Sequence, residues 1–90
     1  MIKDTERFNR ADKIADSLLQ LIKLKTAEVE WYTAPVMDVR LDLINYMKEE
    51  VTVGQVRHAL AKLRNKGLIV SERRLLHVMD TTCSYKPLQQ

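Results

Sequence analysis

Apolar residues recur at helical spacing along three stretches of the chain, and polar residues between them mark where each helix begins and ends. In residues 5–27, Phe8, Ala11, Ile14, Ala15, Leu18, Leu19 and Ile22 keep to one stripe. Arg7, Arg10, Lys13, Asp16, Lys23 and Lys25 fall mainly outside it. This predicts a first helix. Leu21 and Leu24 widen its apolar surface, serving either a broader core or a seam for a second subunit. Residues 28–33, EVEWYT, alternate charge with bulk and suit a short, half-buried strand. Thr33-Ala34-Pro35 then reads as a helix start, with Thr33 as cap and Pro35 in the first turn, where its missing N–H costs nothing. Val36, Val39, Leu43, Ile44 and Met47 carry the second stripe through Lys48. Arg40 projects near the centre of that stripe and Leu41 lies off it. Arg40 therefore pairs with a nearby acid such as Asp38 or Asp42, snorkels outward, or sits at a subunit contact.

The third stretch carries the clearest signals. Thr52 and Gln55 have capping-box spacing, so a helix is expected to start near Val53. Val56, Ala59, Leu60 and Leu63 then form a buried stripe. Gly54, Arg57, His58, Ala61, Lys62 and Asn65 fall on other faces. Gly67 suits the left-handed stop, with Lys66 near the negative end of the helix dipole. Beyond it, residues 68–70 and 75–78 are apolar, β-branched-containing runs. The polar run Ser71, Glu72, Arg73 and Arg74, three of them charged, separates them, which predicts two strands joined by a charged turn.

The string Val56-Arg57-His58-Ala59-Leu60-Ala61-Lys62-Leu63, followed by Lys66-Gly67-Leu68-Ile69, resembles the recognition helix and wing start of the winged helix-turn-helix superfamily of DNA-binding proteins. The likeness covers residues 31–79. It implies a mainly α fold with a small β-hairpin, ordered helix, strand, helix, helix, strand, strand. Residues 1–80 would form the domain and 81–90 a polar carboxy-terminal tail. The recognition helix would be residues 52–66 and the basic wing residues 71–75.

Composition fits one small domain. Of 90 residues, 46% are hydrophobic and 30% charged, and two glycines with two prolines leave little room for long linkers. A single cysteine, Cys83, excludes an internal disulfide. Lacking a signal peptide or a long apolar span, the chain is expected to be soluble and cytoplasmic, with no membrane role. The net charge is only +3, but it is unevenly placed. Residues 52–77 carry Arg57, Lys62, Arg64, Lys66, Arg73 and Arg74 against Glu72, a balance of +5. Residues 28–50 carry Glu28, Glu30, Asp38, Asp42, Glu49 and Glu50 against Arg40 and Lys48, a balance of −4. A basic side of this kind turns a protein toward polyanions, because cations that neutralise phosphates release condensed counterions.

Candidate contacts follow from that face. Arg57 matches a frequent DNA-contacting arginine of the resembled motif, and its planar fork binds guanine or phosphate two-pronged. Gly54 and Ala61 permit close approach. Gln55 suits adenine while competing with its own cap role, Thr52 suits phosphate, and His58 suits either a base or a phosphate. Lys62 and Arg64 would position rather than specify. Arg73 and Arg74 at the expected wing tip suit phosphates or the minor groove. His77 is expected on a strand face, and Trp31 and Tyr32 in the core.

Two histidines and one cysteine are too sparse for a metal site, and no cofactor is implied. Cys83 has no histidine placed beside it, and Asp38 with Asp42 reads as a solvated helical pair, so the chain is not expected to be an enzyme. The expected function is a sequence-specific, double-stranded-DNA-binding transcriptional regulator of phage or plasmid size, acting as a homodimer. Leu21 and Leu24 are the dimer candidates, with Tyr85 and Leu88 of the tail as alternatives. The competing readings are a protein-interaction adaptor that binds a partner through its acidic second helix and aromatics, and an accessory DNA- or RNA-binding protein of replication or recombination.

Overall fold

A computed structural model describes residues 2–77 and 80–88, with side chains described for residues 10–72 and 82–88. Six elements follow in order: α1 (Ile2–Lys25), β1 (Tyr32–Ala34), α2 (Val36–Met47), α3 (Val53–Asn65), β2 (Ile69–His77) and β3 (Asp80–Pro87). The protein is mainly helical, with a small antiparallel sheet ordered β1-β3-β2. The element sequence is the expected one.

The helices enclose the core with the inner face of the sheet. Leu18 and Ile22 of α1, Val39 and Leu43 of α2, Val56 of α3, and Ile69 of β2 are all at most 2% exposed. Burying a side chain of this size contributes about 1.5–3 kcal/mol, so Leu43→Ala would remove about 2–5 kcal/mol once the residual cavity is included. Leu21 belongs to this core, whereas Leu24 is 62% exposed on the next helical position.

The sheet departs from expectation at both ends. The charged turn expected at Ser71, Glu72, Arg73 and Arg74 is instead the middle of β2, paired with Tyr85, Ser84, Cys83 and Thr82 of β3. No residue of that segment favours positive φ, and β2 is an edge strand, where charge is tolerated and discourages edge-to-edge association. Residues 81–90, expected as a polar tail, supply most of β3, the central strand. Thr82, Ser84 and Tyr85 are buried there. Short hydroxyl side chains satisfy themselves locally: Thr33 and Ser84 share a hydroxyl hydrogen bond of 2.7 Å across β1 and β3. That bond also occupies Thr33, so α2 is capped by the extended backbone of Pro35 with no side-chain cap. The expected strand at 28–33 is reduced to Tyr32–Ala34, because only these residues find partners on β3. Tyr32 enters the core as expected. Trp31 stays half-buried, with the Lys86 ammonium 4.6 Å from its ring centre.

Arg40 pairs with an acid, as expected, but with Glu50 rather than Asp38 or Asp42, and with a backbone carbonyl that was not expected. Its Nε donates to the Val51 carbonyl at 2.7 Å and its Nη2 reaches Glu50 at 3.2 Å. From α1, Arg10 bonds the Glu49 carboxylate and, at 3.0 Å, the Glu50 carbonyl. Two arginines thus fix the turn between α2 and α3. The side chains of Arg7, Phe8, Arg73, Arg74, Leu75, Leu76 and His77 lie outside the described residues, as does Val78 altogether.

Candidate nucleic-acid interface

Helix α3 is held firmly at both ends. Thr52 Oγ1 accepts the Gln55 N–H at 3.1 Å and Gln55 Oε1 accepts the Thr52 N–H at 2.9 Å, which completes the capping box. Val51 and Val56, on either side of the cap, are fully buried in staple positions. At the other end Leu68 N–H donates to the Leu63 carbonyl and Gly67 N–H to the Arg64 carbonyl, the two bonds of a Schellman stop. Gly67 takes the φ of +74° that this motif needs. The orphan groups of both helix ends are therefore largely met, and the outward face of α3 is presented in a fixed orientation.

Val56, Ala59, Leu60 and Leu63 face the core. The opposite line runs through Gly54, His58, Ala61 and Asn65, and its two flanks differ. On one flank, Arg57 and Arg64 border a groove of about 370 Å³ against β3, lined also by Val36, Leu60, Ala61, Cys83 and Tyr85. Arg57 is exposed and has no hydrogen bond or ion pair among the described residues. Arg64 donates to Ser71 Oγ at 3.3 Å. On the other flank, Lys62 turns back to α1 and bonds Asp12 at 2.5 Å. There Gly54, Gln55 and His58 border a second concavity of about 460 Å³, against Arg10, Ala11 and Ile14 of α1.

Charge pairing sharpens the asymmetry seen in the sequence. Most acids of the acidic segment are engaged within the fold: Glu30 by Lys86, Asp42 by the Tyr32 hydroxyl and Lys25, Glu49 by Arg10 and Lys13, and Glu50 by Arg40. Hydrogen bonds from Lys13 and then Arg10 hold the Glu49 carboxyl below its ordinary range. Burial, and then the hydrogen bond to Asp42, pushes the Tyr32 phenol well up. Burial likewise raises Tyr85, with Cys83 adding to it. Both phenols therefore stay neutral. No carboxylate occurs in the sequence between Glu50 and Glu72, the span that contains all of α3.

No family model, curated protein or solved structure matches the chain.

Of the residues singled out in the sequence, Gly54, Arg57 and His58 share the outward side of α3, with Thr52 exposed at its start. Gln55 has its carbonyl oxygen committed to the cap, and Lys62 its ammonium committed to Asp12. Arg73 and Arg74 pair through their backbones with Cys83 and Thr82. Arg64, expected to position rather than specify, lies seven residues after Arg57 on the same line of the helix. Asn65 was not among the chosen residues, although its spacing, seven after His58, was available in the sequence. Among the described residues no group of three potential ligands could hold a metal ion, and no helix is long and apolar enough to cross a membrane.

Proposed function

We propose that the protein is a winged helix-turn-helix, sequence-specific DNA-binding regulator of transcription, acting in the cytoplasm with α3 in the major groove and the β2-β3 hairpin at the flank. The observation that carries this reading is the outward side of α3: a rigidly capped helix with small residues at Gly54 and Ala61, unpaired Arg57, exposed His58, and no acid nearby in the sequence. Small side chains let a helix approach base edges, and exposed cations supply the attraction to phosphates. The α2–α3 pair joined by a braced turn, with a hairpin following α3, supports the same assignment.

The adaptor reading is weakened at Asp42, already bound by the Tyr32 hydroxyl and Lys25, and at Glu49, held by Arg10 and Lys13, whereas Glu50 stays largely exposed beside Arg40. One reading helix covers few base pairs, so a second copy on a repeated site is part of the proposal. Leu24 is its exposed candidate contact, with Leu88 at 43% exposure as the alternative; Leu21 and Tyr85 are core residues.

Selection of bound duplexes from a random-sequence library tests this function. A recurring motif of several base pairs is expected. Failure to enrich any motif, with equal retention of single-stranded DNA, would overturn it.

A further inference from the structure

Resting on that DNA-binding reading, we infer that the groove between α3 and β3 seats the sugar-phosphate backbone of one DNA strand, with Arg57 and Arg64 as its phosphate-binding side chains. The two arginines stand two helical turns apart, about 10 Å along α3. Phosphates of one strand advance by roughly 3.4 Å along the duplex axis, so a few successive phosphates span the same distance. Besides the two arginines, the groove is lined by the apolar side chains of Val36, Leu60 and Ala61, with Cys83 and Tyr85. Deoxyribose, with its C–H surface, fits such a lining. Base edges do not, since their donors and acceptors would lose hydrogen bonds there.

The opposite flank of α3 also borders an apolar concavity, but the cations beside it are paired: Arg10 is bound to Glu49. Lys62 is bound to Asp12, and the Gln55 carbonyl oxygen is bound in the cap. Within α3, positive charge is therefore offered mainly along one flank, with Lys66 at the helix end on the other side, and it positions the duplex. Arg57 acts as a positioning contact, and base readout falls to the line between the flanks, where His58 stands between Gly54 and Ala61.

The test compares the full-length wild type with Arg57→Ala, Arg64→Ala and His58→Ala by fluorescence anisotropy. Each binds a duplex carrying the selected motif and a random-sequence duplex, across about 50 to 200 mM salt. All three side chains are exposed, and thermal unfolding of each variant confirms the fold. Arg57→Ala and Arg64→Ala should each reduce the slope of log K against log salt by about 0.9, and lower affinity by the same factor on both duplexes. His58→Ala should shrink the ratio between the two duplexes and leave the slope unchanged. Loss of discrimination in Arg57→Ala at constant slope would make Arg57 a base reader and overturn the groove assignment. Unchanged slopes in both arginine variants, with a wild type that still binds, would overturn the groove alone. A wild type that binds no duplex would overturn the functional reading itself. Equal affinity and equal slope losses on an A-form RNA duplex would remove the assignment to DNA.

Discussion

Replacing Arg40 by methionine isolates the contact that braces the turn into α3. The aliphatic stem is retained, while the Nε–H donated to the Val51 carbonyl at 2.7 Å disappears. Val51 is fully buried and the Arg40 side chain is 23% exposed, so water replaces the lost donor poorly. A hydrogen bond from a charged donor is worth about 1.5–3 kcal/mol. The second contact adds less: Glu50 is 78% exposed, and a pair of that kind contributes about 0–1 kcal/mol. Arg40→Met should therefore cost about 1.5–3 kcal/mol in urea unfolding, followed through the fluorescence of Trp31, the single tryptophan. In a domain of this size the loss corresponds to a fall in Tm of roughly 6 to 24 °C. Glu50→Gln should cost less than about 1 kcal/mol. The reasoning fails if Arg40→Met unfolds within about 0.5 kcal/mol of the wild type, or if Glu50→Gln is equally damaging.

Three further outcomes are expected. Because the Glu49 pKa is lowered in the fold, its contribution is complete above the unfolded glutamate range near about 4.3 and is lost as pH falls through the folded value. Glu49→Gln should consequently flatten the acid limb of the stability-pH curve and converge on the wild type at low pH; parallel curves would contradict the pairing with Lys13 and Arg10. An added Cβ at Gly67 meets nothing within 4 Å, so Gly67→Ala should cost only the strain of the left-handed backbone, about 1–2 kcal/mol, and Gly67→Asn less. A neutral Gly67→Ala in urea unfolding would mean that the stop is not left-handed. Leu24→Glu should convert a dimer at micromolar concentration into a monomer of unchanged stability, as read by sedimentation; monomers for both proteins, still tight on a lone half-site, would count against the second copy.

The helices were legible in the sequence because each repeats its apolar stripe over several turns, and the α3 caps because they use local chemistry. Thr52, Gln55 and Gly67 act within a few residues of themselves. The sheet was legible only in part. Cys83 and Ser84 look small or polar in isolation, and their place in the central strand depends on β1, which lies some fifty residues earlier. Arg73 and Arg74 looked like a turn because charge clusters in turns, yet edge strands carry charge for a different reason. The partners of Arg40 were equally hidden: a backbone carbonyl beyond the end of a helix leaves no mark in composition. At the candidate site, the outward line of α3 could be drawn from spacing alone. The commitment of Lys62 to Asp12, a contact between helices fifty residues apart, could not.

The salt dependence of duplex binding by the wild type tests the central claim most directly. If the basic side of α3 grips phosphates through Arg57, Arg64 and their neighbours, log K should fall steeply and linearly with log salt between about 50 and 200 mM, with a slope of roughly −0.9 for each phosphate neutralised. A response equivalent to two or more phosphates is the predicted result. A flat response, or no binding to any duplex at the lowest salt, would contradict the account.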